Sequence, residues 1–283
     1  MGDDSLETQR EALRQLLEKE GLPPEVAERV LTYTRPTLEL VTEAAELGDA
    51  PAGSSRIGGR PDLPAGSEWP VHGGEPMFFL GQLNLAELEA PEDGLLPGKG
   101  VLSFFFTASF DHTQELDCGK VLYFEDPSQL VERLDAPARD DGNFEACRIV
   151  PRRRLTVPDW TSPFFSLLDL SAEQSDILSN TLYDAGHLVA ESYGGGHRLL
   201  GLARNGQSDA TFTAAQTLLE DGEDRSDEAV EIKARVWRLL FQCVEDEEAG
   251  MSWVDSGSVC FVMREEDLKA RRFDRVFTDL QFD

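Results

Sequence analysis

The chain has 283 residues, 40% of them hydrophobic and 28% charged, a composition that folds around a core of its own rather than staying disordered. Acidic residues outnumber basic ones 54 to 26, which gives a net charge of −28 and a pI near 4.4. That balance excludes a nucleic-acid binder, which needs a clustered positive surface against phosphate, and it disfavours adsorption to an anionic membrane. No apolar run approaches the ~20 residues that span a bilayer. The opening MGDDSLETQR carries no basic stretch ahead of an apolar one, so the expected location is the cytoplasm. Cys118, Cys147, Cys243 and Cys260 are too far apart for a C-x-x-C pair and lie in or beside apolar runs, which predicts small, buried, reduced thiols.

In chain order, residues 1–35 read as a helical hairpin that packs on the body of the protein or on a partner. Leu6, Leu13, Leu16 and Leu17 share a face, Ser5 is a cap, and Gly21 with Pro23 and Pro24 stops one helix and starts the next. Pro36 is expected to end the second helix. Thr37 to Val41 reads as a strand. Gly53 to Pro76 is dense in glycine and proline, which excludes a helix and a central strand. It also carries Ile57, Leu63, Trp69 and Val71, which predicts an ordered loop wrapped on the core. Strands follow at Met77–Leu83, Val101–Thr107, Lys120–Glu125 and Arg148–Val157. Ser171 to Gly186 is a helix with Ser171 as cap. His197–Ala203, Val236–Val244, Gly257–Met263 and Val276–Phe282 are strands. Glu220 to Glu231 is a surface loop running into a helix, and Glu265 to Ala270 is a short helix.

An internal echo runs through this order. FFLGQLN from Phe78 is followed by GVLSFFF from Gly100, and LLFQCVE from Leu239 by GSVCFVM from Gly257. Gln82 pairs with Gln242 and Phe104 with Phe261, at Gln-to-Gly spacings of 18 and 15. The expected fold is therefore α+β and β-rich: a mainly antiparallel roll built from a duplicated β unit, its halves at about 53–130 and 190–283 within a single domain over 36–283.

Several motifs in the same order resemble the YwqG-like family, a bacterial domain of unknown function. In the first half these are GGRPDLPAGSEWP (Gly58 to Pro70), FLGQLNL (Phe79 to Leu85) and GVLSFF (Gly100 to Phe105). In the second half they are HRLLGL (His197 to Leu202), WRLLFQCVED (Trp237 to Asp246), MSWVDSGSVCFVMREEDL (Met251 to Leu268) and FDRVFTDLQ (Phe273 to Gln281). The resemblance spans roughly residues 35–283. It implies a fold, a β-rich roll with internal duplication, and brings no catalytic residues. Val254 stands where the family commonly has glycine, which loosens any tight turn carrying Trp253 and Asp255.

The chemistry-bearing candidates each have a plainer alternative. Tyr193, three glycines, His197 and Arg198 form either an anion-binding nest or a loop leading into a strand, and the loop is favoured. Gln82 and Gln242, inside apolar strands, either line a polar pocket with Asn84 or tie backbone segments together, and the tie is favoured. Trp69, Trp237 and Trp253 are core residues first, with Trp253 the most apt to reach a ligand from a loop. Arg148, Arg152, Arg153 and Arg154 are either counter-charge within an acidic chain or a solvated strand edge. Asp111, His112, Glu115 and Asp117 look like a polar hairpin tip. No nucleophile elbow, dinucleotide fingerprint, P-loop or paired-histidine zinc motif occurs, so no catalytic residue, metal or cofactor is expected.

Three functional readings follow. The first is a non-enzymatic acidic module that docks a basic protein, of which an immunity or neutralising protein is one form. The second is a small-ligand domain or enzyme with its site between the two β halves, lined by Arg60, Gln82, Asn84, His197, Arg198, Gln242, Trp253 and Asp255. The third is acidity that serves solubility alone.

Overall fold

The computed structural model describes residues 5–44, 50–89, 94–107, 118–135, 137, 143–185, 189–190, 196–204, 208–253 and 257–281. Ser5 is extended and its hydroxyl accepts the Thr8 N–H at 3.2 Å, which caps α1 (Leu6–Lys19). Gly21, at φ +110°, turns the chain, and α2 (Pro24–Thr32) opens on a proline whose missing N–H costs nothing there. Leu13, Leu17, Val26 and Val30 of this pair bury against Leu155, Leu168 and Leu178 from later in the chain. The hairpin thus forms a helical layer with its own apolar cluster on the body of the protein. Pro36 does not end α2. The helix stops at Thr32, and Pro36 is the second residue of β1 (Arg35–Ala44), twice the length expected for that strand.

The glycine- and proline-rich stretch is ordered, as expected, and contributes four short strands: β2 (Arg56–Ile57), β3 (Asp62–Pro64), β4 (Val71–His72) and β5 (Glu75–Pro76). Trp69 donates its indole N–H to the Met77 carbonyl and stacks edge-on against Phe105. One expectation fails here. β2 is a central strand, because Arg56 and Ile57 lie clear of the flanking prolines and their N–H groups remain available for pairing. Next come β6 (Phe78–Asn84), β7 (Val101–Phe106), β8 (Gly119–Phe124), β9 (Leu130–Glu132), β10 (Cys147–Thr156) and α3 (Ala172–Asp184), the last closed by a capping box between Ser171 and Gln174. β11 (His197–Leu199) is shorter than read, since Leu200 turns away at φ +62°. α4 (Ala210–Thr217), not anticipated from the sequence, α5 (Asp227–Ala234), β12 (Trp237–Val244), β13 (Ser258–Arg264), α6 (Glu265–Lys269) and β14 (Phe277–Gln281) complete the chain.

Ten strands form one sheet in the order β14-β13-β12-β11-β1-β10-β2-β6-β7-β8, each neighbouring pair antiparallel. The sheet curls until its two ends nearly meet. The Cys118 thiol approaches the Thr278 carbonyl at 3.5 Å, and a Cβ on Gly119 would lie 2.0 Å from Thr278 Oγ1, so glycine is required at this seam. The interior is packed: the Phe104 ring lies 4.4 Å from Phe241 and 5.3 Å from Phe261, joining the two ends of the sheet through one core. β10 lies inside the sheet, not at an edge. Three of its arginines are paired where they stand, Arg148 with Glu43, Arg153 with Glu89 at 3.2 Å and Arg154 with Glu39 at 3.9 Å.

The two ends of the sheet are built alike. The β6–β7 ladder shifts register between Phe79 and Gly81, and the β12–β13 ladder shifts between Leu239 and Phe241. The bulged residues are Leu80 and Leu240. Their carbonyls accept N–H groups from Gly58 (2.8 Å) and Leu200 (3.1 Å). Each of those donors begins two consecutive residues of positive φ, Gly58–Gly59 and Leu200–Gly201. Each bulge sets a glutamine two residues further on, Gln82 opposite Arg56 and Gln242 opposite Arg198.

Candidate functional site

The polar residues singled out in the sequence fall at these two matching corners. At the first, Gln82 is fully buried and accepts the Asp62 N–H on Oε1 at 2.9 Å. Its amide nitrogen donates to the Ser54 carbonyl (2.8 Å) and to Asp62 Oδ2 (2.7 Å). The same Asp62 oxygen takes the Gly53 N–H and a buried ion pair from Arg56 at 2.8 Å. Arg56 also donates twice to the Arg60 carbonyl. The Arg60 side chain points outward and faces Glu132 at 3.7 Å, while Asn84 is half-buried and donates to the Gly53 carbonyl at 3.0 Å.

At the second corner Gln242 accepts the Arg204 N–H at 2.8 Å and donates to the Arg204 carbonyl (2.6 Å) and to Ser258 Oγ (2.8 Å). Arg198, in the place of Arg56, donates to the Leu202 carbonyl at 3.4 Å, the counterpart of the Arg60 carbonyl. Burial lowers the Arg198 pKa to about 10, with Glu39 opposing the fall and Arg204 adding to it. It remains a cation at neutral pH. The residue before each arginine repeats a third contact: Ser55 Oγ accepts the Asn84 N–H (2.9 Å), and His197 Nδ1 accepts the Val244 N–H (3.1 Å).

His197 carries the most chemistry-like geometry. With Nδ1 accepting from Val244, its hydrogen sits on Nε2 and is donated to Asp246 Oδ2 at 2.9 Å. Asp246 also takes the Thr42 hydroxyl (2.6 Å) and the Ala249 N–H (2.9 Å). Burial pushes the Asp246 carboxyl up, but the hydrogen bonds from His197, Thr42 and Ala249 outweigh it and hold the group well below the usual carboxylate range. Both imidazole nitrogens are occupied by the fold, so the pair braces β11 and β1 against the turn after β12.

The structure thus groups His197, Arg198 and Gln242 on β11 and β12, and Gln82 and Asn84 on β6 beside the Arg60 turn. β1 and β10 separate the two groups. Trp253 joins neither. It is 4% exposed, not on a surface loop, and packs edge-on against Phe106 and Phe144 in the core, because the segment from Met251 pairs back onto Asp246. Asp255, Gly194, Gly195, His187 and the Asp111–Asp117 cluster lie outside the described residues.

Asp62 and Asp246 are the partners the sequence did not disclose. Both lie in quoted motifs, yet their roles depend on pairing across 20 and 49 residues. All four cysteines are buried and none is in a disulfide. Burial pushes Cys147 up to about 11 and holds Cys243 and Cys260 well above the ordinary thiol value, so these do not ionise at neutral pH. Among the described residues no cluster of three or more His, Cys, Asp or Glu is placed to hold a metal ion, and no helix is long and apolar enough to cross a membrane.

One groove flanks the helical layer. It measures about 640 Å³ and lies beside α1, where Arg14 is already paired with Glu11, Glu18 and Glu28. A second, of about 300 Å³, runs between α1 and α3. No curated protein matches the chain. The family described as a domain of unknown function, DUF1963, matches residues 55–281, which takes in both corners and leaves α1, α2 and β1 ahead of it. The chain belongs to the DUF1963 family.

Proposed function

We propose that this chain is a non-enzymatic, acidic protein-interaction module of the cytoplasm, a YwqG-like member of its family, and that it captures a basic protein. One observation carries the reading. With 54 acidic and 26 basic residues, at least 28 carboxylates have no cation of their own to pair with, even if every lysine and arginine neutralises one. Many of the cations are already engaged within the fold, including Arg14, Arg56, Arg133, Arg148, Arg238 and Arg272. The buried polar side chains of the two corners are engaged too, since Gln82, Gln242, His197 and Arg56 each hold backbone or a partner side chain of the same corner. What remains for recognition is a negative surface, which speeds the approach of a positive partner and rejects negative ones.

The test is affinity capture on the immobilised chain from its native host, eluted in rising salt. The expected result is one basic protein at stoichiometric level, eluting as screening grows, that rebinds the pure chain with an affinity falling steeply with ionic strength. Recovery of no stoichiometric partner, or of one indifferent to salt, would overturn the reading. A small molecule retained by the pure chain through native mass spectrometry would favour a ligand site instead.

A further inference from the structure

The geometry points to a docking face, made by Trp160 with Ile232 and Val236 beside the acidic run 220–231, that takes a basic segment carrying apolar side chains between its lysines or arginines. This inference rests on the interaction reading above and gives it an address. Trp160 is 66% exposed, Ile232 55% and Val236 54%. Single exposed apolar residues are ordinary, but here a tryptophan, a residue type enriched among interface anchors, and two aliphatic residues stand exposed on two segments that one arginine ties together.

The surface is joined by Arg235. Its guanidinium donates to the Pro163 carbonyl at 2.8 Å and to Ser166 Oγ at 3.1 Å, and it pairs with Glu231 at 3.4 Å. That ties the end of α5, where Ile232 and Val236 stand, to the loop that carries Trp160. The loop is held in turn: Asp159 Oδ1 accepts from the Thr161 N–H, the Thr161 hydroxyl and the Ser162 N–H, so the indole is presented by a fixed turn. α5 is anchored from its other side by Val230 and Ala234, which are fully buried. A preorganised patch loses little entropy on binding.

The charge beside it selects the occupant. Six of the nine residues 220–228 are Asp or Glu, against Arg225 alone, and all nine are exposed. Lys233, the nearest lysine on α5, is paired with Glu223. An apolar platform edged by an excess of exposed carboxylates over cations fits a partner that brings cations around an apolar anchor.

The probe is a synthetic lysine–leucine peptide, amphipathic over about five helical turns, compared with an oligolysine of equal charge by titration calorimetry. The expected result is one-to-one binding of the lysine–leucine peptide, with roughly tenfold weaker binding to Trp160→Ala and to Ile232→Ser, as for a central aromatic anchor. Tyr183→Ala, which removes a still more exposed aromatic from α3, is expected to bind as the parent does. Asp221→Asn with Glu228→Gln should flatten the salt dependence. If both peptides bind and Trp160→Ala changes neither, the docking face is wrong and the acidic-module reading stands. If neither peptide binds, both fall. If sedimentation shows a dimer that Trp160→Ala dissolves, the face belongs to a second copy of the chain and the basic partner is wrong.

Discussion

The corner at Arg56 and Gln82 and the corner at Arg198 and Gln242 share one backbone plan and differ in the side chains hung on it. Shared are the bulge carbonyl that accepts a turn N–H, the two residues of positive φ, the arginine that donates to a carbonyl four residues on, and the glutamine that accepts a backbone N–H. Each of these satisfies a buried backbone group that a bulge would otherwise strand. Different are Gly58 against Leu200, Ser55 against His197 and Asp62 against Arg204. The contrast teaches that Gln82, Gln242 and Arg198, picked out as ligand candidates, belong to the repeated part and hold backbone groups there, whereas the Arg60 side chain does not. Whatever is particular to one corner lies in the positions that diverged.

The sharpest break in the comparison is at the first left-handed residue. A Cβ on Gly58 would sit 2.0 Å from the Glu145 carbonyl oxygen, so Gly58→Leu is expected to give no folded protein, a loss beyond about 4 kcal/mol. The reverse change is tolerated. Leu200→Gly removes a buried side chain at a cost of about 2–4 kcal/mol, partly offset by about 1–2 kcal/mol from relief of the left-handed leucine. Urea unfolding of the two variants checks the asymmetry. Equal losses would mean that the corners are not equivalent.

Next in size is the response of the two glutamines to a charge. Gln82→Glu sets a second carboxylate against Asp62 Oδ2, which now receives the amide at 2.7 Å, and is expected to cost about 3–5 kcal/mol as an unpaired buried charge. Gln242→Glu meets the Ser258 hydroxyl, which can turn to donate, with the cations of Arg198 and Arg204 at the same corner, and is expected to cost about 2 kcal/mol. Lowering the pH until the new carboxyl protonates should narrow the gap. Unfolding midpoints for both variants at neutral and acid pH would show it.

The His197 brace exists at one corner only, and acid should expose it. The folded Asp246 carboxyl titrates below its unfolded value, so its contribution is complete at neutral pH and drains away as the pH falls below about 4. Asp246→Asn should cost about 2–3 kcal/mol at neutral pH. It should also flatten the acid limb of the stability profile relative to the parent. A variant that loses stability equally at every pH would place the effect in packing rather than in the charge.

Much of this fold was legible because its signals are local. Ser5, Gly21, Pro24 and Ser171 mark helix ends through groups a few residues away, and the Phe- and Val-rich strands carry their period within themselves. The echo of Gln82 in Gln242 was legible too, since bulge and amide sit at fixed spacing within one strand. β2 was hidden because two residues between prolines have no period, and α4 because its Ala- and Thr-rich run has little amphipathic contrast. The site was less readable than the fold. Nothing local distinguishes a glutamine that ties backbone from one that meets a ligand, and the groups the two glutamines hold, Ser54 and Asp62 for Gln82 and Arg204 and Ser258 for Gln242, come from distant stretches of the chain. Trp253 illustrates the same limit, for its polar neighbours in sequence gave no hint that Phe106 and Phe144 would enclose it.

The smallest expected effect tests that distinction at a single residue. Arg60 and Arg56 are alike in composition and four residues apart, yet the fold uses the carbonyl of one and the guanidinium of the other. The Arg60 side chain is exposed and meets Glu132 at 3.7 Å, a geometry in which an ion pair contributes about 0–0.5 kcal/mol. Arg60→Ala should therefore leave the unfolding midpoint almost unchanged at low salt and unchanged at high salt. Because the substitution keeps the carbonyl that Arg56 requires, a large loss would mean that the Arg60 side chain braces the corner. Unchanged stability with altered capture of a basic partner would instead place Arg60 on the recognition surface.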